Sequence, residues 1–285
     1  MLRKNILSFM YNDNGENGMD KYRVSIIMGI YNCEKTLDNS INSLLNQTFK
    51  KWKLIMCDDG STDGTYSVAK KYADKFENIE VYSNEKNMGL NYTLNHCLEY
   101  VDTEYVARMD GDDISLSTRL QKEVEFLDEH KEYAIVSTAM ISFDENGDWG
   151  IYKNTENPSY KNFLIRSPFC HAPSMVRKEA YDAVGGYTVD KRLLRMEDIH
   201  LWMKMYEKGY KGFNLQEPLY KMRDDRDATN RRKYKYRINE SYVRHLVVKS
   251  FRLPFYYNMY MLRPLIVGII PTKIYEILHK RSLKK

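Results

Sequence analysis

Between residues 22 and 141 the apolar positions follow two alternating rhythms. Residues 22–31 (YRVSIIMGIY) are a run of Val, Ile and Met, as in a strand buried on both faces. Leu37, Ile41, Leu44 and Leu45 then fall at helical spacing. Residues 52–57 (WKLIMC) read as a second strand and 65–76 as a helix. Residues 79–82 form a short third strand, and Leu90, Leu94, Cys97, Leu98 and Val101 mark another helical stripe. Residues 105–109 make a fourth strand. Thr118 and Gln121 stand at capping-box spacing ahead of Leu120, Val124 and Leu127, and residues 134–141 make a fifth strand. This alternation predicts an α/β fold with a mostly parallel central sheet flanked by helices. Ligands of such sheets bind beyond the carboxyl ends of the strands, so the residues just after each strand are the ones to inspect.

After residue 141 the order changes. Residues 144–148 (DENGD) read as a turn, 160–165 as a helix and 174–176 as a short strand. Residues 197–207 read as a helix, and 210–215 and 219–223 as two short strands. All seven prolines lie at or after Pro158. Residues 1–20 read as a flexible extension, residues 21–230 as the main domain and 231–285 as a basic, aromatic helical tail.

Charge sharpens that division. The net +5 hides 30 Lys+Arg against 37 Asp+Glu in residues 1–230, and 14 against 2 in residues 231–285. An acidic body with a basic tail is not the make-up of a nucleic-acid-binding domain. Cys33, Cys57, Cys97 and Cys170 form no CxxC pair, which argues against a zinc site or disulfide framework and for a reducing cytoplasm. Neither a secretory signal nor a run of about 18 apolar residues is present.

The strand ends are acidic. Ile30-Tyr31-Asn32 follows the first strand, residues 58–64 (DDGSTDG) the second and residues 110–113 (DGDD) the fourth. Two acidic clusters at one sheet edge repel each other unless a cation or donor-rich ligand lies between them. In extended chain Asp110 and Asp112 point the same way and can address one cation. Oxygen-only ligands favour Mg²⁺ or Mn²⁺ over zinc; the plainer alternative is a polar turn. Asp59, Ser61, Asp63 and Gly64 match the start of a calcium loop, but Lys70 stands where its closing Glu belongs. A turn with Asp63 capping the next helix is the simpler reading, and Asp59 accepting from a nucleobase N–H the functional one. No GxGxxG, GxxxxGK[ST] or GxSxG motif is present.

Taken in order, VSIIMGIYN, DDGSTDGT, NEKNMGLNYTLN, DGDD, GGY and MED closely resemble family 2 glycosyltransferases, inverting enzymes of the hexosyltransferase class with the GT-A fold. The resemblance covers residues 22–225. It implies a nucleotide-binding half over 21–115 and an acceptor half over 116–230. It places Ile30, Tyr31, Asn32, Asp59 and Asn87 around the nucleoside of a UDP- or dTDP-sugar and Asp110 near the ribose or the metal. Asp112 would be the principal ligand of Mn²⁺ or Mg²⁺, with Asp110 or Asp113 assisting. Asp198 of the Glu197-Asp198 pair would be the catalytic base, while His171, Glu197 and Arg223 would contact acceptor or phosphates. Thr93-Leu94-Asn95 stands where many relatives carry Ala-Arg-Asn, so a phosphate-binding cation must come from elsewhere; Arg223, Arg226 and Arg231–Lys233 are candidates.

The chemistry suits these residues. A diphosphate leaving group needs charge neutralisation rather than a proton, so one carboxylate suffices as general base. Glycosidases need two because their leaving group must be protonated. The expected partners are a nucleoside-diphosphate sugar and a cell-envelope glycan or lipid-linked acceptor, without nucleic acid. A nucleotide-sugar-binding module without transfer activity and a sugar nucleotidyltransferase are the competing readings. Acidic residues in a first helical turn also complement the helix dipole, a lone His is commonly structural, and Gly185-Gly186 fits a turn. In the tail, Lys and Arg interleave with Tyr, Phe, Leu and Ile. That pattern suits either peripheral contact with the inner face of the cell membrane or, over residues 255–270, a cap on the core.

Overall fold

A computed structural model of the chain describes residues 21–224 and 233–269. The expected N-terminal extension, Arg226, Arg231, Arg232 and the end of the tail lie outside the described residues. Strand β1 (Val24–Ile30) pairs in parallel with β2 (Trp52–Asp58) and with β4 (Tyr105–Arg108). β2 pairs in parallel with β3 (Ile79–Ser83). The crossovers are α1 (Glu34–Leu45), α2 (Thr65–Lys75) and α3 (Leu90–Leu98). The period of two in β1 sorts its side chains to two cores: Ile27 packs with Ile55, Leu94 and Trp202, while Ile26, Met28 and Ile30 pack with Leu37, Ile41 and Leu54. Burial on both faces explains why these strands read as nearly unbroken apolar runs.

Beyond β4 the sheet is mixed. β8 (Met175–Arg177) runs antiparallel to β4 and to β6 (Ile135–Asp144). β9 (Gly212–Arg223) runs parallel to β6 and antiparallel to the two-residue β5 (Ile114–Ser115). The expected turn at 144–148 closes a hairpin between β6 and β7 (Gly147–Tyr152). The sheet order is β3-β2-β1-β4-β8-β6-β9-β5, with β7 on β6. The two short strands expected at 210–215 and 219–223 are one strand: Thr138 faces Leu215 while Ala139 faces Pro218, so β9 bulges where Pro218 has no N–H to give the ladder.

Helix α4 (Arg119–Glu129) begins at Thr118 as expected, but the capping box does not form. Gln121 donates instead to Glu125, and the Leu120 N–H is taken by Gln47 Oε1 of the α1 side at 3.1 Å. The helix expected at 160–165 is a 3₁₀ turn, Tyr160–Leu164. Helix α5 (Lys178–Val184), unexpected from sequence, ends on Gly185 and Gly186 at φ 65° and 66°, the left-handed turn that the pair suggested. α6 spans Glu197–Glu207.

The tail opens with α7 (Tyr234–Ser250), whose Val243, Val247 and Val248 join the core. Its buried Arg244 pairs with Glu240 and donates to the carbonyls of Phe163 and Ile165. A 3₁₀ segment (Phe255–Met261) and α8 (Leu262–Ile269) follow. Among the described residues no helix is long and apolar enough to cross a membrane.

Candidate active site

Parallel register sets Ile30 opposite Asp58, and Asp58 opposite Ser83. Tyr31, Asp59 and Asn84 therefore leave the sheet at the same edge, where β4 delivers Asp110. The loop after β2 is built around its own carboxylates. Asp58 accepts from the Ser61 N–H and hydroxyl, and Asp63 from the Thr65 N–H and hydroxyl at the start of α2. The N-cap of α2 is Gly64 rather than the expected Asp63, which lies one residue earlier and closes a local turn by accepting from Thr65. Gly60 sits at φ +70°, and a Cβ there would lie 2.7 Å from the Lys86 backbone, so this turn and the 84–89 loop close on each other only through glycine. Asn32, at φ 48°, donates its N–H to Ser61 and accepts from Thr62, while Tyr31 stays 47% exposed.

Asp59 is buried and organises the 84–89 loop. Its Oδ1 accepts from Asn84 Nδ2 (2.9 Å) and the Met88 N–H (2.8 Å), and its Oδ2 from the Gly89 N–H (2.9 Å). That loop carries Asn87 exposed at its tip. Asn84, which the sequence reading passed over, also bonds Thr93 and His96. Asn95, shared with Ala-Arg-Asn, exchanges two bonds with the Tyr187 backbone. Of the positions that depart, Thr93 bonds Asn84 and the Gly89 carbonyl, and Leu94 is buried in the core.

In DGDD the three carboxylates part company. Asp110 is held by a bidentate pair from Arg108, at 2.8 and 2.5 Å. Asp113 is buried. Its Oδ1 accepts from the Arg223 N–H (2.7 Å), bracing the turn against β9, and its Oδ2 has no hydrogen-bond partner. Burial and the negative charges of Asp110 and Asp112 push Asp113 well above the ordinary carboxylate range. Asp112 lies half-buried between them. Among the described residues no group of three or more Asp, Glu, His and Cys is arranged to hold a metal by protein ligands alone. An all-oxygen turn with one orphaned carboxylate oxygen does fit a hard cation that draws its remaining ligands from a phosphate-bearing substrate.

Arg108 is the link that sequence reasoning missed. It is buried on β4, and its charge reaches Asp198, Glu197 and His171 as well as Asp110. Its signal was legible: residues i and i+2 of a strand share a face, so a cation two before Asp110 is placed to pair with it. Helix α6 presents Glu197 and Asp198 in its first turn. Asp198 Oδ2 accepts from the Ser167 hydroxyl at 2.8 Å. Burial raises the Asp198 carboxyl above the ordinary range, with Ser167 and Arg108 pulling the other way. Burial and Asp198 push Glu197 up to about 6, and its Oε2 has no hydrogen-bond partner.

His171 bonds Tyr187 Oη through Nε2 (2.8 Å), and Tyr187 in turn contacts the Tyr181 hydroxyl. Burial and Arg108 hold His171 well below its usual value, so it is a neutral ring that also stands edge-on to Trp202. Arg108 thus pairs directly with Asp110 and acts through its charge on His171, Glu197 and Asp198. Arg223 enters through its backbone, while its guanidinium lies 5.2 Å from the Phe143 ring centre.

Similarity to known proteins identifies the family and the fold. The family model described as "Glycosyl transferase family 2" matches residues 25–185. EpsE of Bacillus subtilis (strain 168), named as a glycosyltransferase, is 43% identical over 92% of this chain and 94% of its own length. An Escherichia coli UDP-Gal:alpha-D-GlcNAc-diphosphoundecaprenol beta-1,3-galactosyltransferase is 27% identical over 93% of this chain and 98% of its own. The fold is shared with S. aureus TarS 1-349 bound to UDP-GlcNAc, at a TM-score of 0.65 and 20% identity over 85% of this chain and 70% of that one. The ordered motifs, the GT-A architecture and a family match across more than half of the sequence lead to one assignment: the chain belongs to glycosyl transferase family 2 and is a glycosyltransferase.

Proposed function

We propose that the chain transfers a sugar, with inversion, from a UDP- or dTDP-sugar to a hydroxyl of a cell-envelope or lipid-linked glycan. The observation that carries this reading is Asp198: a desolvated carboxylate with a raised pKa, oriented by one hydroxyl, and sharing Arg108 with the first Asp of DGDD. A raised pKa makes a carboxylate a stronger base toward the acceptor hydroxyl. Asp198 takes the proton of the acceptor hydroxyl as that oxygen attacks the anomeric carbon. The bond from that carbon to the diphosphate breaks on the opposite face, and the electron pair leaves with the diphosphate, which needs no proton.

Asp112, with the outer edge of Asp110 or the orphaned oxygen of Asp113, would hold a Mn²⁺ or Mg²⁺ whose charge offsets that of the leaving diphosphate. Arg108 fixes Asp110 toward the ribose. Tyr31 supplies an exposed ring for the base, beside Ile30 and Asn32. Asp59 acts on the nucleoside through the 84–89 loop it organises, with Asn87 at the rim. Glu197 and His171 would line the acceptor side, and Arg223 would reach the phosphates. The undecaprenol-linked substrate in the name of the E. coli relative supports a lipid-linked acceptor. Such an acceptor puts the reaction at the inner face of a membrane.

The test is transfer from radiolabelled nucleotide sugars, with and without Mn²⁺, by wild type and Asp198→Asn. Loss of transfer at unchanged melting temperature supports the base assignment; full activity in the variant removes it. A thermal-shift screen of nucleotide sugars identifies the donor, because a bound donor raises the melting temperature by mass action.

A further inference from the structure

The described tail splits into two unlike parts. α7 behaves as an ordinary amphipathic helix, with Val243, Val247 and Val248 in the core. The Phe255–Met261 segment and α8 do the reverse. Phe255 is 87% exposed, Met259 70%, Leu262 53%, Ile266 61% and Ile269 74%, and in α8 only Pro264 is buried. Leu262, Ile266 and Ile269 stand at i, i+4 and i+7, the spacing of one helical face. A surface helix normally turns such a stripe inward, so an outward stripe marks an interaction surface.

Its surroundings identify the partner. Lys233, Lys235, Lys249, Arg252 and Arg263 in the same tail are exposed, and Glu240, the one acidic residue among residues 233–269, is already paired with Arg237 and Arg244. Large apolar side chains flanked by Lys and Arg match an anionic bilayer, whose headgroups take the cations while its acyl boundary takes the apolar groups. The tail is also joined to the catalytic base. Arg263 and Arg244 donate to the Ile165 carbonyl, two residues before the Ser167 that holds Asp198, and Asn239 donates to the Lys191 and Leu194 carbonyls just before α6.

We infer that residues 252–269 form an interfacial docking surface for an anionic membrane, which seats the acceptor side of the site against the bilayer. For its purpose this rests on the transferase reading with a lipid-linked acceptor; for the binding itself it rests on the exposed stripe and its charges.

The experiment is flotation of the full chain with vesicles of equal parts phosphatidylglycerol and phosphatidylcholine, and with pure phosphatidylcholine vesicles. The expected result is binding to the anionic vesicles that weakens in high salt. Phe255→Ser/Met259→Ser/Ile266→Ser should lower partitioning by about tenfold or more, at unchanged melting temperature and unchanged donor turnover in solution. Hydrogen exchange of the wild type should show vesicle-induced protection centred on residues 252–269, which reads the surface even if the triple variant misfolds. Wild type that stays in solution with both vesicles overturns the proposal, as does a folded triple variant that binds fully. A chain that sediments as a dimer and that the triple variant makes monomeric assigns the stripe to a second copy and also overturns it. Asp198→Asn should float as wild type does, so failed docking and failed catalysis are read separately.

Discussion

The donor edge and the base side of the proposed site treat their carboxylates in opposite ways. At the donor edge, Asp58, Asp59 and Asp63 are surrounded by donors: Ser61, Asn84, Met88, Gly89, Thr65 and Glu34 give them backbone, amide or hydroxyl hydrogens. On the base side, Asp198 has one side-chain donor, Ser167, and Glu197 Oε2 has no partner. A carboxylate in a dense donor shell is a structural element, because each bond stabilises the ion and fixes a loop. A carboxylate whose burial outweighs its hydrogen bonds, as at Asp198, keeps its affinity for a proton. The first arrangement suits recognition of a donor molecule, the second suits taking a proton from an acceptor, and Arg108 pairs with Asp110 while its charge acts on Asp198.

Removing the base should give the largest effect. Asp198→Asn should lower kcat by about a thousandfold, within the usual range for a general base. The melting temperature at neutral pH should hold or rise. The folded pKa of Asp198 is raised, so its ionised form costs folding free energy above that value, and a neutral side chain escapes this cost. A variant that loses activity only by unfolding would erase the contrast between the two sides.

Arg108→Met tests the link. Arg108 is buried and Asp110 keeps 31% of its side chain in contact with solvent, so the loss should be about 3 kcal/mol of stability, the low end for breaking a buried pair. Denaturant titration measures it. The double variant Arg108→Met/Asp110→Asn should recover part of the loss, since it leaves no unpaired charge. Equal stability of single and double variants would show that Arg108 acts by packing alone.

Asp59→Asn should act more mildly and on binding. It turns one acceptor oxygen into a donor facing N–H groups, at a cost of about 1–3 kcal/mol for the hydrogen bonds left unmade. KM for the donor should rise through loosening of the 84–89 loop, with kcat changed much less. A fall in kcat equal to that of Asp198→Asn would place Asp59 in the chemical step and blur the distinction between donor edge and base side.

Legibility in the sequence follows the same divide. The parallel strands β1 to β4 were readable because burial on both faces writes a continuous apolar run. Their loops were readable because Asp, Gly and Ser fold them locally. β5 has two residues and β7 lies at an edge, so neither leaves a periodic trace. β9 read as two strands because Pro218 interrupts one. The cap of α4 comes from Gln47, more than seventy residues away, which no local spacing reveals. Ser167 is invisible for the same reason: nothing in RSPF marks a hydroxyl that reaches α6. In the tail, composition left membrane contact and core packing open, whereas the fold assigns α7 to the core and leaves Phe255, Met259, Leu262, Ile266 and Ile269 exposed.

Ser167→Ala should give the smallest effect, and it bears most directly on why the two sides differ. The Ser167 hydroxyl donates to Asp198 Oδ2 and so favours the carboxylate, partly opposing the upward push of burial. Without it the Asp198 pKa rises further. The base works only when unprotonated, so the acid limb of kcat/KM should move to higher pH. Activity should fall a few-fold below that limb and approach wild type on the alkaline side, where Asp198 is ionised in both proteins. Ser167→Thr keeps a hydroxyl and should restore the limb. A uniform loss at every pH would mean that Ser167 orients the carboxylate without tuning it. An acid limb moving to lower pH would mean that the hydroxyl does not stabilise the charged form, and the balance between burial and hydrogen bonding at Asp198 would then need another explanation.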